Sequence, residues 1–173
     1  MSNMVYFLCS LPSLTLGEKP PISLDEFHND AKAQLSSRQF ELLKRLDIRG
    51  ANGDATRGLK RIAGVLKEFQ RDLSEIRKAK AESRRPSLFK LPWKVTEANP
   101  LEREKQIMRY QWEELDTIEF VEAFTLIRAA VYKLKLQIVI RQDSFDARLG
   151  RQVLTSVVNP YREEGKRDVR SEN

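Results

Sequence analysis

The sequence of 173 residues contains one cysteine, Cys9, and one histidine, His28. A lone cysteine excludes an internal disulfide framework and any cysteine-rich zinc site. A lone histidine excludes a multi-histidine metal site within one chain. Ser-His-Asp or Cys-His chemistry is left with His28 as its single candidate base. Glycine and proline are sparse, seven of each, which rules out collagen-like or Gly/Pro low-complexity character. No apolar run approaches the roughly 18–20 residues that span a bilayer. Neither G-x-x-x-x-G-K nor G-x-G-x-x-G occurs, so no phosphate-cradling loop is legible. The first twelve residues, MSNMVYFLCSLP, hold a short apolar run with no preceding Lys or Arg. They read as a buried first element rather than a secretory leader. Cys9 reads as a small buried hydrophobe, because nothing near it in sequence would depress its pKa. The pattern points to a non-enzyme with no metal or cofactor.

Charge is what the chain has in quantity. Charged residues make up 32% and hydrophobic residues 40%, with 31 Lys+Arg against 25 Asp+Glu, a net charge of +6. That is too apolar for a disordered chain. The apolar residues repeat at helical spacing, and no strand signal rises above them.

Residues 12–22 hold three prolines and a glycine and read as a loop. Ser23 and Glu26 form a capping box, which predicts a helix over 24–35 with Leu24, Phe27, Ala31 and Leu35 on one face. Ser36 and Gln39 repeat the signature for a helix over 37–47 bearing Phe40, Leu43 and Leu46. Residues 47–56 read as a flexible connector. A long helix over 57–82 carries the stripe Leu59, Ile62, Leu66, Phe69, Leu73 and Ile76. Pro86 and Pro92 make 83–99 a second connector. Asn99, Pro100 and Glu102 start a helix over 100–115, with Leu101, Met108, Trp112 and Leu115 inward. The next, over 117–141, carries Phe120, Phe124, Ile127, Val131, Leu134 and Ile138 and is expected to be central to the core. A last helix over 144–158 presents Phe145, Leu149, Val153 and Val157, and the tail 159–173 is expected to fray. The expected fold is all-α, about six helices in a bundle with two long connectors. Segments 1–82 and 100–158 are expected to share one core.

The basic excess is local. Residues 77–94 contain Arg77, Lys78, Lys80, Arg84, Arg85, Lys90 and Lys94 against one acid, Glu82, with Phe89 and Trp93 interleaved. This reads either as a flexible arm for an acidic partner or as a solvated helix end and linker. Lys133, Gln137 and Arg141, four residues apart, form one polar stripe, read as a solvated face or a partner contact. Glu113, Glu114, Asp116, Glu119 and Glu122 lie close together and read as a solvated face around a helix junction rather than a catalytic set. His28 reads as an exposed residue or a surface hydrogen bonder.

Three stretches together resemble a known family. They are YFLCSLP at 6–12 with KPPIS at 19–23; NPLERE at 99–104 leading to WEEL at 112–115; and YKLKLQ at 132–137 with Arg141, Phe145, Asp146 and Gly150. The pattern is similar to a small bacterial family of unknown function encoded beside the genes of V/A-type ATPases. That family in turn looks remotely like the C/d-type proteins of those rotary machines. The resemblance implies an all-helical, non-catalytic protein near the junction of the central stalk and the rotor ring. The C/d-type proteins are considerably longer, so it implies an accessory or a reduced counterpart. Its partners would be other V/A-type ATPase subunits. Its location would be cytoplasmic, peripheral to the inner membrane through the complex. The alternative from composition is a basic helical nucleic-acid-binding protein.

Overall fold

A computed structural model describes residues 3–51, 59–121 and 124–145. The predicted helix over 144–158 falls outside these residues beyond Phe145, as do Glu122, the tail and positions 52–56 of the first connector. The chain divides into a unit of residues 1–142 and a unit of residues 143–173. The fold described here is that of the first.

The fold is all-α. Its helices are α1 (Met4–Ser10), α2 (Leu24–Gln34), α3 (Ser37–Arg45), α4 (Lys60–Ala81), the single turn α5 (Lys94–Glu97), α6 (Pro100–Val121) and α7 (Leu126–Asp143). Local chemistry sets the starts. Both predicted capping boxes form: Ser23 Oγ accepts from the Glu26 N–H, and Ser36 Oγ accepts from the Gln39 N–H. Asn99 Oδ1 accepts from the Glu102 N–H at 2.9 Å. Leu35 and Ser36 are both extended, and this two-residue corner separates α2 from α3. After α3 the chain makes a minimal antiparallel pair, β1 (Leu46–Asp47) with β2 (Gly50–Ala51). The connector expected there is therefore a tight turn at its start.

The main core draws on both sides of the second connector. Phe7, Phe27, Leu43, Ile62 and Leu66 pack with Met108, Leu115, Ile118, Val131 and Leu134. A smaller cluster joins Phe69 and Ile76 of α4 to Leu91, Val95 and Ile107. Nine consecutive or near-consecutive residues of α7, from Ala129 to Val139, are buried. A helix apolar on most of its circumference is one surrounded by neighbours.

The helix junction is displaced from its expected place. α6 continues through Asp116 to Val121, because Gln111, Leu115 and Ile118 extend its buried stripe and no Pro or Gly interrupts it. The break follows instead, with Phe124 at φ 45° in the left-handed region. This phase corrects three inward assignments. Phe120 is 94% exposed on the outer side of α6, and Phe124 and Leu101 are about half exposed. Cys9 is likewise exposed rather than buried, since α1 turns only Phe7 fully into the core.

Candidate functional site

The basic segment is held down from below by the acids of α4. Asp72 is 1% exposed, and its carboxylate accepts the backbone N–H groups of Phe89, Lys90 and Leu91 at 2.9, 2.7 and 2.8 Å. Glu75 accepts from Arg84 Nη1 at 2.5 Å and from the Ser87 N–H at 3.1 Å. The Arg84 hydrogen bond, with that of Ser87, holds the Glu75 carboxyl down at about 2. Lys90 reaches Glu114 at 3.1 Å and Glu68 at 3.5 Å, and the Glu114 bond raises its pKa. Arg103 of α6 donates to the carbonyls of Val95, Thr96 and Ala98, fixing the far end. The segment is therefore stapled rather than a free arm.

That geometry divides the predicted contact residues. Arg84 and Lys90 are structural. Arg77, Lys78 and Lys80 stand exposed on the last turns of α4. Arg85 lies over the Trp93 ring at 5.6 Å and Lys94 over Tyr110 at 5.7 Å, with Trp93 43% exposed and Phe89 66% exposed.

The predicted polar stripe of α7 is not a surface. Lys133 is 2% exposed, and its Nζ donates to the carbonyls of Leu43 (2.7 Å), Lys44 (3.2 Å) and Leu46 (2.6 Å). It caps the C-terminus of α3, where carbonyls lack intrahelical partners and the helix dipole favours a cation. Burial pushes its pKa down to about 8, against a raising influence from Asp47. Gln137 accepts from the Ile48 N–H at 2.9 Å and donates to Asp47 at 3.1 Å. Arg141 donates to Glu104 at 2.6 Å. Read as a solvated face, the stripe is corrected: Lys133 and Gln137 tie α7 to the α3–β1 turn, and Arg141 ties it to α6. Four-residue spacing shows that side chains share a helix face, not whether that face meets water.

The acidic group is also reassigned. Lys135 is 6% exposed, lies over the Trp112 ring at 5.0 Å, and donates to Asp116 at 2.5 Å and to Glu119. These two carboxylates neutralise a buried ammonium rather than forming an acid–base pair. Beside them is a cleft of about 290 Å³ lined in part by Leu8, Leu11, Leu14, Arg128 and Tyr132. Tyr132 donates to the Pro12 carbonyl at 2.8 Å, and burial pushes its pKa up to about 12. Phe120 and Arg128 border an open hollow next to it. Sequence reading missed Lys135, because an isolated lysine at an inward position carries no signal until its counter-ions on another helix are known.

His28 is half-buried and edge-on to Phe27 and Phe40, with burial lowering its pKa. Its Nε2 is buried and has no hydrogen-bond partner among the described residues. No helix of the described residues is long and apolar enough to cross a membrane. No family model, curated protein or solved structure matches the chain.

Proposed function

We propose that the chain is a non-catalytic component or accessory of a V/A-type rotary ATPase, working through contacts between helix faces and peripheral to the membrane through that complex. One observation carries the reading beyond the resemblance itself. The three stretches that bear the resemblance meet in space: Tyr132 bonds Pro12, Lys135 lies over Trp112, and Arg141 pairs with Glu104. The first two stretches thus each contact the third, on α7. The contact surfaces in this reading are the exposed Phe120, Val121 and Phe124 and the exposed cations Arg77, Lys78 and Lys80. Exposed aromatic and aliphatic groups of this kind serve as anchors in interfaces. The test is an affinity capture of the tagged protein from native membranes at moderate salt, read by mass spectrometry. Several rotary ATPase subunits are expected; recovery of none of them defeats the reading.

A second reading, nucleic-acid binding, is favoured by the exposed Phe89 and Trp93 among Arg85 and Lys94. Stacking platforms beside cations suit single strands. It requires oligonucleotide binding that weakens steeply with salt and is lost on Trp93→Ala.

A further inference from the structure

α4 separates its charges by sign. Its three acids, Glu68, Asp72 and Glu75, all turn to the 84–91 segment and are occupied there. Seven cations remain on the same helix: Lys60, Arg61, Lys67, Arg71, Arg77, Lys78 and Lys80, every one exposed. Four of them, Lys60, Lys67, Arg71 and Lys78, are spaced seven, four and seven residues apart. At about 100° per residue they fall within an arc of roughly 40°, a straight row about 27 Å long. None of the four has an ion pair among the described residues. Lys67 and Arg71, four residues apart, repel one another and weaken the helix that carries them.

The gaps in the row are filled by small residues. Gly64 stands between Lys60 and Lys67, and Ser74 between Arg71 and Lys78. A Cβ added at Gly64 would meet nothing within 4 Å. No packing among the described residues therefore asks for glycine in the interior of this helix, where it is unfavourable. A missing side chain does let a second backbone approach closely.

We propose that this row is the docking face for an acidic α-helix of a partner protein. Two helices share the same rise, so carboxylates repeating seven, four and seven residues apart on the partner would meet the four cations in turn. Its backbone would seat over Gly64. A duplex backbone winds about its own axis and leaves a straight row after a few phosphates. The exposed aromatics suited to a single strand, Phe89 and Trp93, belong to the 84–97 segment and not to the row. The proposal depends on α4 alone and stands whether or not the complex is a rotary ATPase.

The full chain is titrated at low salt with three probes: a helix-forming peptide bearing one row of glutamates at that spacing, a peptide of equal composition with the glutamates dispersed around the helix, and a single-stranded oligonucleotide. The row peptide is expected to bind at least about tenfold tighter than the dispersed one. Gly64→Leu should weaken it several-fold. The quadruple variant Lys60→Glu, Lys67→Glu, Arg71→Glu and Lys78→Glu should lose it and take up a lysine-row peptide instead, with the helical circular dichroism unchanged. Equal binding of the two acidic peptides overturns the proposal, as does failure of the row peptide to bind. Oligonucleotide binding tighter than that of the row peptide and indifferent to Gly64→Leu also overturns it.

Discussion

Lys133 shows how a single residue can change meaning between sequence and structure. Its ammonium sits in the core because three carbonyls at the end of α3 require donors. Replacing it with methionine keeps the stem's volume and leaves those carbonyls unpaired. Lys133→Met is expected to lower stability by about 3 kcal/mol, the cost of orphaning buried acceptors, read from the denaturant midpoint at constant m-value. There is a second signature with a definite sign. The folded pKa lies near 8, below the unfolded value of 10.5. Between those two values the unfolded chain holds a proton that the fold releases, so stability rises with pH across that window. Lys133→Met should flatten that rise. An unchanged midpoint would mean that α3 ends without this cap. The lysine was visible in the sequence, but its role was not. The partner carbonyls lie some ninety residues away in the chain, and backbone carbonyls carry no sequence signature.

At the scale of elements, the helix starts were legible because capping is local. Serine or asparagine at the cap with its partner three residues on is enough, and Ser23, Ser36 and Asn99 each cap as their sequence context demands. The stripe of α4 was legible for the same reason, apart from Leu73, which is only partly buried. The α6–α7 boundary was not. A helix ends where its burial ends as much as where a breaker stands, and the neighbours of Ile118 are set by tertiary packing. The 84–91 segment looked loose because prolines exclude helix; they do not exclude order. Asp72 supplies that order, and it reads in sequence as one more charge on a basic helix. Asp72→Asn would replace one acceptor oxygen by a donor, so three N–H groups could no longer share the side chain. The expected loss is about 2–3 kcal/mol, concentrated in this element. Amide hydrogen exchange should accelerate at Phe89, Lys90 and Leu91 while α2 and α7 stay protected. Uniform acceleration through the molecule would instead make Asp72 part of the global core.

At the scale of the whole molecule, several acids are occupied by internal partners while the cations of α4 stand exposed. Glu68, Asp72, Glu75, Glu104, Glu114, Asp116 and Glu119 all hold internal partners. Most of those partners are cations, so the pairs cancel, and the positive field presented to a partner is that of the exposed cations of α4. Apart from that field stands an exposed apolar group, Phe120 with Val121 and Phe124, where α6 gives way to α7. A phenyl ring 94% exposed contributes nothing to the core that holds its helix. Phe120→Ser should therefore leave the unfolding midpoint of the isolated protein within about 0.5 kcal/mol of the parent. If the ring anchors a partner, the same change costs about 2 kcal/mol of binding or more, roughly thirtyfold in affinity. Capture from native membranes with parent and variant, quantified side by side, separates the two terms. Unchanged stability with depleted partners locates the interface at the end of α6. Unchanged stability with undiminished partners removes this end of the molecule from the interface and leaves the cationic face of α4 to account for assembly.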